Sequence, residues 1–280
     1  MGFSALNLNQ NLINTVTELG YETPTPIQAQ AIPAILEGRD IMGGAQTGTG
    51  KTAAFALPII HQLTAHQLMA QQLTANAADT TAKKQIRALV LTPTRELSQQ
   101  VHKSFETYSE DSELTAHLAY GGVSINPQVK ALAQGADILI ATPGRLLDLL
   151  DRETLTLEFV EKIVFDEADR MLDMGFMEEI RRILKHLPKK RQTMLFSATF
   201  DDAIFKLSKS LLNDPLLVEV DTRNAAAEQV EQIVYAVDTD RKRELTSYLI
   251  GSRNWHQVLI FTRTKQGADS LAKEMCKDGI

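Results

Sequence analysis

The stretch Ile41-Met42-Gly43-Gly44-Ala45-Gln46-Thr47-Gly48-Thr49-Gly50-Lys51-Thr52 decides the fold. It reads as the end of a buried strand, a glycine-rich turn and the start of a helix, which is the context a phosphate-binding loop requires. Glycines let the backbone curl until several N–H groups point at phosphate oxygens, and the helix N-terminus adds a favourable dipole. Lys51 is placed to reach the β- and γ-phosphates of a nucleotide, and the Thr52 hydroxyl to ligate Mg²⁺. Ala45 stands where the strict pattern G-x-x-x-x-G-K-[ST] has glycine, a small departure in a small residue.

Around this turn, short apolar and β-branched runs alternate with stretches of helical spacing. The strand candidates are Asp40–Gly44, Ala88–Thr92, Thr115–Tyr120, Asp137–Ala141, Lys162–Phe165, Thr193–Phe196 and Leu217–Val220. The helical segments between them include Glu96–Tyr108, Pro127–Ala133, Arg145–Asp151, Met177–His186 and Ile204–Leu211. Such alternation predicts an α/β fold on a mostly parallel sheet, covered by helices on both faces, so that its strands read as continuous apolar runs.

Two segments break the rhythm. Thr64–Lys84, rich in Ala, Gln and Thr, reads as a surface insertion, a helix extension followed by a mobile loop. The small, polar run 221–228 reads as a linker. It separates a first domain, 1–220, from the beginning of a second, 229–280. Strand Gln232–Val237, a helix near Arg243–Ile250, strand Gln257–Phe261 and helix Gln266–Lys277 start that unit, which on this reading is incomplete.

Composition narrows the function classes. With 280 residues, 44% hydrophobic and 23% charged, the chain is of ordinary globular make-up, which excludes fibrous and wholly disordered readings. A single cysteine, Cys276, excludes a disulfide framework or a multi-cysteine zinc module and reads as a small core residue. The six histidines show no ligand spacing. A net charge of −6 argues against a strong non-specific grip on nucleic acid or anionic membrane. No apolar run reaches the roughly 18 residues that span a bilayer, and Met1–Asn7 lacks the basic and apolar regions of a signal peptide. The expected place is the cytoplasm, and the expected state a monomer.

A phosphate loop needs an acidic partner at the end of another buried strand. Lys162–Phe165 delivers it as Asp166-Glu167-Ala168-Asp169. Asp166 suits the Mg²⁺ shell, and Glu167 can orient or deprotonate the attacking water, which makes Glu167, Lys51 and Asp166 the catalytic candidates and Thr52 and Asp166 the metal candidates. By itself the tetrapeptide fits an acidic helix cap equally well; the pairing with Gly50-Lys51-Thr52 favours the metal reading.

The two motifs together resemble the DEAD-box RNA helicases, ATP-dependent enzymes with two RecA-like domains, with a bacterial RhlE-like character in the N-terminal third. Further matches follow in the family's order. Gly20–Gln28 is similar to the Q motif, with Phe3 at the family's upstream aromatic position. Pro93-Thr94-Arg95 is similar to motif Ia, Gly121-Gly122 to the GG doublet and Thr142-Pro143-Gly144-Arg145 to motif Ib. Ser197-Ala198-Thr199 is similar to motif III and Leu259–Thr264 to motif IV.

The resemblance implies ATP as substrate, Mg²⁺ as cofactor and RNA as partner, with local unwinding of short duplexes coupled to hydrolysis. It places ATP on Ala45, Gln46, Thr47, Gly48, Thr49, Gly50, Lys51 and Thr52. Gln28 can meet the adenine amino donor and ring acceptor with its carboxamide, and Phe3 and Tyr21 can cover the base by stacking. RNA backbone would be held by Pro93, Thr94, Arg95, Gly121, Gly122, Thr142, Pro143, Gly144 and Arg145. Asp169, Ser197 and Thr199 would couple the two ligands through hydrogen bonds.

The family's second-domain arginines lie beyond Ile280, so weak hydrolysis by these 280 residues is the expectation. Partner proteins of ribosome assembly or RNA degradation fit the resemblance. The basic run from Arg181 to Arg191 reads as a solvated helix face rather than an RNA track. Rival readings are an ATP-gated RNA clamp that seldom unwinds and a DNA translocase of the wider superfamily.

Overall fold

The computed structural model describes residues 2–44, 48–74, 84–220, 231, 233–277 and 279, with backbone alone for 70–74. The chain divides into two units, 1–222 and 223–280.

In the first unit the apolar runs become strands β1 (Ile41–Gly44), β2 (Ala88–Leu91), β3 (Ala116–Ala119), β4 (Ile138–Ala141), β5 (Lys162–Phe165), β6 (Gln192–Ser197) and β7 (Leu216–Glu219). They form one sheet in the order β3-β4-β2-β5-β6-β1-β7, parallel at every pairing. The inner strands are buried along their whole length, whereas β3 and β7, each with a neighbour on one side only, are buried in part.

The helices are α1 (Gln10–Glu18), α2 (Pro26–Leu36), α3 (Lys51–Thr74), α4 (Arg95–Tyr108), α5 (Asn126–Ala133), α6 (Pro143–Asp151), α7 (Ala168–Asp173), α8 (Met177–Leu184) and α9 (Asp202–Leu211). Successive strand residues serve opposite faces. Val90, Val164, Met194 and Phe196 join a core with Ile27, Ile32, Phe55, Ile59 and Phe105 from α2, α3 and α4. Leu89, Leu91, Ile163, Phe165 and Leu195 join a second core with Leu146, Met171, Ile180 and Ile183 from α6, α7 and α8. Each fully buried aliphatic or aromatic side chain contributes about 1.5–3 kcal/mol of burial free energy. Gly43 is required where β1 runs beneath Phe196, since a Cβ there would lie 2.6 Å from that ring.

Local signals fix the element ends. Asn9, Thr94 and Asp201 cap α1, α4 and α9 by accepting from the backbone N–H of Leu12, Leu97 and Ile204. Pro26 and Pro143 sit in the first turns of α2 and α6, where no helical N–H is required. The helical part of the 64–84 insertion is the continuation of α3 to Thr74; 75–83 lie outside the described residues. Arg181, Arg182, Lys185, His186, Lys189 and Lys190 are exposed, with Arg182 paired to Asp151 and Arg181 to Glu178.

In the second unit the described regular elements are a 3₁₀ turn, Thr239–Arg241, and helices Lys242–Ser252 and Lys265–Lys277. The strands expected at Gln232–Val237 and Gln257–Phe261 do not form among the described residues; Gln232 itself, like the linker 221–228, lies outside them. A strand is a paired element, and these runs have no ladder partner among the described residues, leaving Val234, Leu259 and Phe261 strongly exposed. Cys276 is exposed rather than a core residue, because its helix buries Met275 instead.

At the start of the strands, the buried Asp40 carboxylate accepts from Thr193 N at 2.8 Å and from Asn213 N at 2.7 Å, tying β1 to β6 and to the approach of β7. Removing it leaves two backbone donors without that acceptor. Asp40→Ala is expected to cost about 2–4 kcal/mol in urea unfolding. A loss under about 1 kcal/mol would contradict the role given to this carboxylate.

Candidate functional site

A parallel sheet brings every strand's C-terminal end to one rim, and there the chain's chemistry-bearing turns collect. The turn after β1 carries Gly48, Thr49 and Gly50 and leads into Lys51 and Thr52 of α3; the turn after β5 carries Asp166 and Glu167; β6 ends in Ser197, level with Gly44 in the register. A cavity of about 730 Å³ opens between the first two turns, α4 and the segment before α2. Its walls include Gly48, Gly50, Lys51, Thr52, Asp166 and Glu167, so the two sequence motifs meet in one space. Ala45, Gln46 and Thr47 lie outside the described residues.

The electrostatics of this space are unusual. Lys51 is 7% exposed and Asp166 2%. Among the described residues, Lys51 Nζ and Asp166 Oδ1 have no hydrogen-bond partner. Buried charges are ordinarily paired and hydrogen-bonded, so unfilled bonding capacity on both is the signature of a site shaped for a polar ligand. Burial pushes the Asp166 carboxyl up from 3.8 to about 6; the Lys51 charge opposes this and Glu167 adds to it.

Glu167 holds a left-handed backbone, φ 56° and ψ 53°, as the cap of α7, and its Oε2 receives Arg170 Nη1 at 3.2 Å. Asp169 Oδ2 accepts from Ala198 N at 3.1 Å and from Thr199 Oγ1 at 3.3 Å, joining the turn after β5 to that after β6. The Ser197 hydroxyl does not join it; Ser197 Oγ donates to the Thr199 carbonyl at 2.8 Å and accepts from Thr199 N at 3.2 Å, closing its own turn.

Gln28 is 4% exposed and anchors the glycine turn. Its Oε1 accepts from Thr25 N at 2.9 Å, and its Nε2 donates to Gly50 O at 3.1 Å. One N–H and one lone pair remain for a ligand. Gly50 has φ +92°, and a Cβ there would lie 2.3 Å from Gln28 Nε2, so both backbone sign and close approach demand glycine.

Phe3 is 4% exposed and does not line the cavity. It packs against the Tyr21 ring at 6.5 Å and 29°, and Tyr21, not Phe3, lies at the cavity wall. Sequence reasoning missed the wall supplied by α4, namely Leu97, Gln100, Ser104 and Tyr108. Their spacing of three, four and four residues places them on one helical stripe, a signal present in the sequence.

The remaining motif residues gather at the ends of the adjacent strands β2, β4 and β3, about 14 Å along the rim from β1 at three strand spacings between β2 and β1. Arg95, Gly121 and Gly122 are exposed there, and Thr94 and Gly144 half-buried. Arg95 lies over the Tyr120 ring at 4.9 Å. Pro93, Thr142 and Pro143 are buried. Arg145 is buried too, and rather than offering an open fork it donates from Nη2 to Val123 O at 2.8 Å, propping the loop after the glycine pair; its Nη1 has no described partner.

The sequence profile described as DEAD/DEAH box helicase matches residues 25–207. The chain is 42% identical to the ATP-dependent RNA helicase RhlB of Pseudomonas aeruginosa over 99% of its own length and 68% of that protein's. It is 38% identical to the ATP-dependent RNA helicase CshA of Listeria monocytogenes, spanning 98% of this chain but 49% of the relative. The crystal structure of a DEAD box protein from the hyperthermophile Methanococcus jannaschii superposes with a TM-score of 0.69 at 35% identity, over 100% of this chain and 71% of that one. The seven-stranded sheet is therefore that of a RecA-like domain, and the chain belongs to the DEAD/DEAH box helicase family.

Proposed function

We propose that the chain is the ATP-binding core of an ATP-dependent RNA helicase, with residues 1–220 as its nucleotide-binding RecA-like domain and 229–280 as the beginning of a second. The observation that carries this reading is the pair of buried charges, Lys51 and Asp166, with bonding capacity left unfilled among the described residues, facing one cavity beside a glycine-rich turn. An anionic phosphate chain answers the first, a divalent cation the second, and Mg²⁺ with ATP answers both. Family membership and relatives named ATP-dependent RNA helicases support the same assignment.

On this reading Lys51 and the turn's N–H groups hold the β- and γ-phosphates, while Thr52 and Asp166 hold Mg²⁺. When bound, the cation neutralises phosphate charge and favours displacement at the γ-phosphorus. Glu167 accepts the proton of the attacking water, and its αL backbone keeps it beside Asp166. The tie from Asp169 to Ala198 and Thr199 gives the site a mechanical link to β6. Arg95 and the Gly121-Gly122 amides take RNA phosphates, and Arg145 acts from beneath by fixing their loop. Thr94, Gly144 and the backbone around Pro93, Thr142 and Pro143 complete that rim. Contacts of this kind recognise backbone rather than sequence.

Lys51→Ala is expected to weaken ATP binding on the order of 30-fold or more, measured by titration with a fluorescent nucleotide. Glu167→Gln is expected to keep that affinity while lowering RNA-stimulated phosphate release about 10²–10⁴-fold. Unchanged ATP affinity in the Lys51 variant would contradict the assignment.

The raised Asp166 pKa has two signed consequences. In the ligand-free protein its protonated form is favoured by folding, so stability drops as pH rises from about 4 to about 6 and is flat above. Holding a cation requires the ionised form. Calorimetric affinity for Mg²⁺–ATP is therefore expected to fall about 10-fold between pH 7.5 and pH 5 beyond any fall shown by Asp166→Asn, which controls for titration of the nucleotide. Parallel pH profiles for the two proteins would contradict it.

A further inference from the structure

Tyr21 belongs to the irregular segment between α1 and α2, where a large ring on a loop is ordinarily free to turn. Here it is held at two points. Its face lies against Phe3, which is itself locked in the core, at 6.5 Å and 29°. Its hydroxyl is 3.3 Å from the hydroxyl of Tyr108, 87 positions along the chain and the last residue of α4. Tyr108 is 7% exposed and also lines the cavity, one helical turn beyond Ser104. Behind it Tyr21 N donates to Val16 O at 2.9 Å, so backbone and ring are fixed alike. Tyr21 nevertheless stays 40% exposed, leaving part of its surface open for another flat group.

We propose that Phe3 and Tyr108 mount the Tyr21 ring as a pre-set platform for the nucleobase, which makes Tyr108 a positioning residue for nucleotide recognition. This rests on the nucleotide reading of the cavity above. Stacking of a base on an aromatic ring is favourable, but a ring that must first be immobilised gives part of the gain back as lost rotamer freedom. A ring already pinned by packing on one side and a hydroxyl on the other loses little more on binding. Burial, and then the bond to Tyr21, raise the Tyr108 pKa above the ordinary tyrosine value, so its hydroxyl remains neutral and the bond persists through the physiological range.

The test separates base from phosphate. Mg²⁺–ADP and Mg²⁺–tripolyphosphate are titrated into the parent chain, Tyr108→Phe, Tyr21→Phe and the double variant, each ring being retained. Tyr108→Phe is expected to weaken ADP binding about 2–10-fold and to leave tripolyphosphate binding unchanged. Tyr21→Phe is expected to do the same, and the double variant to be no weaker than either single one, because a single shared bond is lost. Equal weakening of both probes, additive losses, or unaltered ADP affinity would overturn the mount. A parent chain that binds neither probe would instead overturn the nucleotide reading beneath it. Matched melting temperatures confirm that the fold is retained; a large drop in Tyr108→Phe with both probes weakened counts against the proposal.

Discussion

Two buried charges of opposite sign, Lys51 and Asp166, govern the organisation of this protein. Lys51 opens α3 and Asp166 follows β5, and each retains bonding capacity that the described residues do not fill. In a low-dielectric interior that is a costly arrangement, tolerated when a ligand completes it. The rise of the Asp166 pKa to about 6 despite the neighbouring Lys51 shows that desolvation outweighs their attraction in the free protein. On the function proposed, an incoming cation and phosphate chain would reverse that balance.

The parallel sheet makes the juxtaposition possible. The two β1 neighbours, β6 and β7, hold the glycine turn in place, while β5 and β2 carry the acidic turn and the start of α4. Asp169 spans from α7 to the turn after β6, and Gln28 spans from α2 to Gly50. Neither contact is long-range mechanics by itself. Together they join the glycine turn to α2 and the helix after the acidic turn to the end of β6.

Much of this was legible in the sequence because parallel strands leave an unmistakable record. Continuous apolar runs bounded by turn residues located all seven strands to within a residue or two, and the Gly50-Lys51-Thr52 and Asp166-Glu167 turns announced themselves by residue type. What stayed hidden was partnership. Gln28 has the carboxamide that a base would want, but its bond to Gly50 O depends on how α2 meets the turn. Arg145 has the chemistry of a phosphate fork, yet burial of α6 turns it into a prop for Val123. Phe3 fits a base-stacking role by type and instead backs Tyr21 from the core. The α4 stripe of Leu97, Gln100, Ser104 and Tyr108 mixes polar and apolar residues, so periodicity alone did not distinguish a cavity wall from an ordinary helix face. In 233–277 the apolar runs read as strands, but strand character is completed only by a ladder partner, which those runs lack among the described residues.

The central claim is spatial, and a crystal structure of the protein grown with Mg²⁺ and a non-hydrolysable ATP analogue tests it most directly. Phosphate oxygens are expected at about 3 Å from Lys51 Nζ, with the metal held on the Asp166 side, directly or through one water. Density for the analogue elsewhere on the molecule, or a metal bound away from Asp166 with Lys51 and Asp166 closed on each other, would contradict it.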